Sequence, residues 1–165
     1  MNNTNENKTS DIYLAHVDFE TGRTQSFQEH TDNVTSYAKS ICPMGEIQKL
    51  VEAATLFHDA GKLSDDVQKD FQDILKKGDQ AHRNDLDHST AGGRMLWKMM
   101  RQKTAAELLS TVVYSHHGIS DCIDFESGCT LQERRAEKEC QEDIVKERFF
   151  QIFDKEKIQK QNQKF

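Results

Sequence analysis

The sequence is poor in the residues that punctuate β structure. It has one proline, Pro43, and eight glycines in 165 residues. That is too little turn chemistry for a many-stranded fold, so a mostly helical chain of one domain is expected. Its four cysteines, Cys42, Cys122, Cys129 and Cys140, show no Cys-x-x-Cys spacing, which argues against a zinc ribbon or a thioredoxin motif. No run reaches the roughly 18 apolar residues of a membrane span. Met1 to Lys8 has no apolar centre of the kind a signal peptide carries. A cytoplasmic protein with reduced thiols is the expectation. An excess of positive charge is also lacking: 28 Asp and Glu outnumber 22 Lys and Arg for a formal net charge of −6, without the basic footprint of an independent nucleic-acid binder. Neither a Gly-rich phosphate loop nor an internal repeat is present.

What the chain does have is the stretch Ala53-Ala54-Thr55-Leu56-Phe57-His58-Asp59-Ala60-Gly61-Lys62. An apolar, helix-forming run stops at an adjacent imidazole and carboxylate. Imidazole suits transition metals and carboxylate can bridge two ions. Gly61 is expected to let the chain leave the helix in a left-handed conformation. Leu50, Val51, Ala53, Ala54, Leu56 and Phe57 cover most of the helix circumference, which marks a central helix over about 46–59. Such a helix delivers His58 and Asp59 to the interior, where a carboxylate is costly unless paired or bound to metal.

Other histidines repeat the pattern. From about Ser26 to Ile41, His30 shares a helical face with Val34, Tyr37, Ala38 and Ile41, a stripe expected to face the core. His16, in the short apolar segment 12–17 ahead of a turn at 21–24, is placed where it could sit near a site, but a lone histidine beside apolar neighbours reads more readily as structural. Ser64 or Asp65 caps a third helix with Val67, Phe71, Ile74 and Leu75 inward and Gly78 as its stop, and His82 reads as solvent-facing. A fourth helix is expected to start near Asp87 or His88, with His88 in line with Met95 and Met99. Ala91-Gly92-Gly93 would admit either a packed backbone or a substrate, and Arg94, Lys98, Arg101 and Lys103 read as a solvated basic flank. A fifth helix, about 104–115, ends in His116-His117-Gly118, mirroring the ending at His58 to Gly61. Leu131 through Lys160 reads as one long charged amphipathic helix. The expected organisation is a disordered tail (1–10), a core (11–128) and a charged C-terminal helix (129–165) that belongs to the same domain in truncated form.

The ordered set His30, His58-Asp59, His88 and His116-His117 resembles the HD-domain metallohydrolases. Finer details narrow the likeness: Gln28-Glu29-His30-Thr31, Phe57-His58-Asp59-Ala60-Gly61-Lys62, Asp87-His88-Ser89-Thr90-Ala91-Gly92-Gly93 and Ser115-His116-His117-Gly118. Together with the segment from Ile119 to Asp124 and on to Arg134-Arg135, they resemble the CRISPR-associated HD nuclease, the nuclease domain of the type I CRISPR helicase-nuclease. The likeness spans about residues 11–135. It implies an all-α HD-domain helical bundle with a metal site at its centre. It implies two divalent ions, drawn from Mn, Ni, Co, Fe or Mg, and cleavage of single-stranded DNA in antiviral defence. The implied partners are a separate or fused helicase and an RNA-guided CRISPR surveillance complex, with no membrane.

By the same likeness His30, His58 and Asp59 serve one ion, and Asp59, His88, His116 and His117 serve the second, with Asp59 bridging. Asp59 and Lys62 are the implied catalytic residues. Lys62 can stabilise the phosphate or the attacking water, or form an ion pair with Asp59 or Asp65. Two features depart from the family pattern. The further aspartate that completes the first metal site is missing, since Asp121, Asp124, Asp143 and Asp154 lack its helical context, and no helicase motif is present. Two other readings therefore stay open: an HD phosphohydrolase acting on nucleotides or cyclic nucleotides, and an inactive truncated HD domain.

Overall fold

The computed structural model describes residues 13–42, 44–78, 86–119, 122 and 131–162. The expectations for the tail 1–10, for His82 and for Asp121, Asp124 and Cys129 lie outside these residues. The chain opens on a two-stranded antiparallel hairpin, β1 (Leu14–Val17) and β2 (Thr24–Ser26). Gly22, at φ 68°, makes the turn between them, a conformation that glycine adopts without a steric penalty. Helices follow: α1 (Phe27–Ile41), α2 (Glu46–Phe57), α3 (Asp65–Lys77), α4 (Thr90–Met99), α5 (Lys103–Tyr114), α6 (Glu142–Ile152) and α7 (Lys155–Asn162). A 3-10 turn, Ala60–Leu63, joins α2 to α3, and a π turn, Glu133–Glu137, precedes α6. The structure is thus an all-α HD-type bundle carrying one small hairpin.

The expected central helix is central. α2 buries Ala53, Ala54 and Phe57 and packs against α1, α4 and α5. Phe57 stacks on Phe149 of α6 with ring centroids 4.8 Å apart, an offset aromatic contact that adds to the burial of both rings. Val145 and Phe149 of α6 and Ile158 of α7 belong to the same core as α2. Close packing needs glycine at two points on α4. A Cβ on Gly92 would lie 2.0 Å from the Phe57 carbonyl oxygen, and one on Gly93 would lie 2.1 Å from the Tyr114 ring. Of the two uses expected for this small-residue stretch, helix packing is the one realised. No disulfide forms among the described cysteines, and no described helix is long and apolar enough to cross a membrane.

Several expectations need correction. Tyr37 and Ile41 do not face the core. Both are 68% exposed, and α1 buries Phe27 and Thr31 instead. The helix expected over 131–160 is interrupted twice, at 138–141 and at 153–154. Arg94 is no part of a solvated flank. It is buried on α4, where Nε donates to the Arg134 carbonyl at 2.6 Å and the other guanidinium nitrogens reach the Lys138 carbonyl and Cys140 Sγ. The Arg134 carbonyl lies within the π turn, and the Lys138 carbonyl lies at its end, where the helix breaks. α4 itself begins at Thr90, so His88 lies just ahead of it. Gly61 is not left-handed either. Its N–H donates to the His88 carbonyl at 2.9 Å, and a Cβ there would sit 2.3 Å from that oxygen. Glycine is needed at 61 for close approach.

Candidate metal centre

Asp59 is the hub of the site. It follows the end of α2, with its side chain 5% exposed. Its two carboxylate oxygens face different partners. Oδ2 lies 2.9 Å from His30 Nε2, 3.2 Å from His58 Nε2 and 2.7 Å from Lys62 Nζ. Oδ1 lies 3.2 Å from His116 Nε2 and 3.5 Å from His88 Nε2. His117 joins the second group through His88, with the two Nε2 atoms 2.6 Å apart. All six ligand-type residues named from the sequence are therefore brought together, and Lys62 with them.

The helix ends explain the aim of the imidazoles. The last carbonyls of a helix have no partner within it. His58 Nδ1 donates to the Thr55 carbonyl at 2.6 Å, and His116 Nδ1 donates to the Val113 carbonyl at 2.8 Å. Each histidine thus reaches three residues back into the last turn of its own helix, α2 or α5, and the likeness of the two motifs becomes a likeness of geometry. His88 Nδ1 donates to the Leu86 carbonyl at 3.0 Å. A carbonyl only accepts, so the proton of each ring sits on Nδ1, and the neutral ring presents a bare Nε2 lone pair. This arrangement orients metal-ligating histidines and raises their basicity.

The lone pairs meet other acceptors. His116 Nε2 and Asp59 Oδ1 are buried and approach to 3.2 Å without making a hydrogen bond. Acceptors gathered head to head need a cation between them, and the donor set fits one: imidazole nitrogens and one carboxylate suit a divalent transition ion. The ligand atoms of Asp59, His88, His116 and His117 all lie within 4.8 Å of one another. Burial alone would push the Asp59 carboxyl up, but the imidazoles of His116, His30 and His58 outweigh it and hold the group well below the usual carboxylate range. Burial pushes His88 down, against the pull of Asp59. At His116 burial also acts downward, but Asp59 and the Val113 carbonyl outweigh it and the pKa rises.

Residues that sequence reasoning did not single out hold the second group in place. Asp87 accepts from the N–H groups of Ser89 and Thr90 at 3.0 and 3.1 Å, covering the start of α4. It also pairs with Lys138 Nζ at 2.6 Å. Burial opposes ionisation of Asp87, but Lys138 and Thr90 overcome it and keep the carboxyl well below its ordinary range. Arg134 donates to Ser89 Oγ at 2.8 Å and to the Tyr114 carbonyl at 3.4 Å, tying the start of α4 to the end of α5. The acidic residue just before His88 was the available signal, since Asp-x-Ser/Thr is a capping pattern.

His16 was read as structural, and its side chain instead lies beside the first group. Its ring centroid is 4.5 Å from that of His30, and its ligand atom is within 4.8 Å of those of His30 and Asp59. No aspartate described after His117 reaches the centre. Asp143 is exposed in the first turn of α6, and Asp154 accepts from the Lys157 N–H at the start of α7.

Residues 22–164 match the family model described as Cas3, HD domain. The chain belongs to that family. Its members are CRISPR-associated HD-domain nucleases, which are metal-dependent. The match includes His30, His58, Asp59, Lys62, His88, His116 and His117, and begins after His16. No curated protein and no solved structure matches the chain.

Proposed function

We propose that the chain is a metal-dependent endonuclease for single-stranded DNA, working in type I CRISPR defence with a helicase and an RNA-guided surveillance complex. The observation that carries this reading is the single buried carboxylate with His30 and His58 at one oxygen and His88 and His116 at the other. His30, His58 and Asp59 would hold one divalent ion, and Asp59, His88, His116 and His117 the second. Such a pair, when bound, supplies a water made acidic enough to attack at neutral pH and charge to clamp the attacking and leaving oxygens. The chain's own residues do the rest. Asp59 fixes the spacing of the two halves because it is held from both sides. Lys62, 2.7 Å from Oδ2 and buried, keeps a positive charge at the edge of the first half, where an anionic phosphoryl oxygen would need it.

A cleft of about 390 Å³ opens beside the second half, lined by His88, His117, Arg134 and Lys138 among others. Asp87 lines it too and pairs with Lys138, so Arg134 leaves the rim slightly positive in a chain of net charge −6, which favours an anionic backbone over a neutral ligand. The test uses circular single-stranded DNA with Mn, Ni, Co or Mg added. Cutting of the circle that requires metal and disappears in Asp59→Ala is the expected result. Hydrolysis of mononucleotides or cyclic nucleotides with the circle intact would overturn the DNA reading in favour of a small-molecule phosphohydrolase. No hydrolysis with any metal would favour an inactive domain.

A further inference from the structure

We infer that His16, on β1, is an additional ligand of the ion held by His30, His58 and Asp59. The inference rests on the two-ion reading above and adds a residue to it. The two halves of the centre are unequal without it. On the side of Asp59 Oδ1 stand the imidazoles of His88 and His116, with His117 against His88, while the imidazoles in contact with Oδ2, beside Lys62, are those of His30 and His58. His16 makes the count equal. Its ligand atom, that of His30 and a carboxylate oxygen of Asp59 all lie within 4.8 Å of one another. Its ring meets His30 edge-on at 71°, with centroids 4.5 Å apart.

The hairpin is built to aim this side chain. Leu14 pairs with Ser26, but His16 pairs with Gln25, so β1 carries one residue more than β2 between those positions. That extra residue makes a β-bulge, which re-aims a neighbouring side chain. Ala15 is fully buried, whereas His16 lies at the solvent rim of the site. β2 then runs directly into α1. Ser26 Oγ accepts from the Glu29 N–H at 3.2 Å, and the Phe27 N–H donates to the Tyr13 carbonyl at 2.7 Å. His30 is in the first turns of α1, so hairpin and helix start set the two imidazoles relative to each other. From the other side, Gln68 of α3 accepts from the Leu14 N–H at 3.0 Å and donates to the Leu14 and Lys62 carbonyls at 2.8 and 2.7 Å. One amide therefore locks the strand bearing His16 to the turn bearing Lys62. A ligand on so constrained a strand is pre-organised.

Cobalt(II) provides the test, because its visible absorption reports each ion's ligand set without any substrate. The full chain is stripped of metal, titrated with cobalt, and its bound metal counted by mass spectrometry. The wild-type chain is expected to take up two ions. His16→Gln is expected to bind the first at least about 10-fold more weakly, with altered visible bands, and to bind the second as before. The retained second ion shows that the variant is folded. His117→Gln is expected to give the converse pattern. Two ions of unchanged affinity and spectrum in His16→Gln would overturn this inference and leave the two-ion centre standing. Fewer than two ions in the wild-type chain would overturn the two-ion reading and this inference with it.

Discussion

At the scale of single residues, the centre depends on which atoms lack partners. His58, His88 and His116 spend their ring protons on backbone carbonyls, so their remaining nitrogens can only accept. Asp59 adds a fourth acceptor in a nearly dry place. The gathering of these residues was legible in the sequence only as a set: a lone His-Asp pair reads as a helix end with an ion pair, whereas four inward-facing histidine motifs in order point to a metal centre. The role of Gly61 was not legible. A glycine near a helix end announces a left-handed turn, yet here it is the contact of two backbones that excludes a side chain. Gly61→Ala should therefore destabilise the fold by about 1–3 kcal/mol through overpacking. It should also weaken metal binding, since it forces apart the segments carrying Asp59 and His88. Denaturant unfolding and a metal titration of the same variant check both effects. A variant as stable as wild type would show that the backbones can separate at little cost.

Among the elements, periodicity told which residues share a face but not whether anything covers it. Tyr37 and Ile41 share a stripe with His30, yet both stay exposed, because α2 packs against another side of that end of α1, at Lys39. The hairpin hides a different ambiguity: a strand's alternation is countable, but a bulge shifts the count, and nothing in 12–17 announces one. The interrupted C-terminal region shows tertiary contacts overriding local pattern. No glycine or proline separates Leu131 from Lys160, yet Arg94 donates to the carbonyl of Arg134, inside a π turn, and to that of Lys138, where the helix stops. Arg94→Met should leave those carbonyls unsatisfied, at a cost of about 1–3 kcal/mol in unfolding free energy. Asp87→Ala should act at the start of α4. It uncovers two N–H groups and leaves Lys138 unpaired. It is expected to weaken the ion on the His88 side while sparing the His30 side, which cobalt spectra can resolve.

Over the whole molecule, ion binding and folding are one equilibrium. The ligands come from α1, the end of α2, the segment before α4 and the end of α5, and no unfolded chain presents them together. An ion that binds only the folded state adds about 2.7 kcal/mol at a hundredfold excess over its Kd. For a chain of this length that is a rise in Tm of about 5–10 °C. Thermal unfolding should show this rise with Mn, Co or Ni and its loss with chelator, and Asp59→Ala should show no response to metal at all. A wild-type Tm indifferent to these ions would contradict a metal centre.

The spread of the ligands along the chain has a consequence for the cell that makes the protein. A nuclease that assembled its site from neighbouring residues could cut while still being synthesised. Here the outermost of the matched ligands are residues 30 and 117, and the centre closes only when α5 has been made and packed against α2. On the two-ion reading proposed above, a nascent chain that lacks α5 cannot complete the second half of the centre. On that reading, the topology that scatters the histidines would make correct folding a condition for any cutting at all.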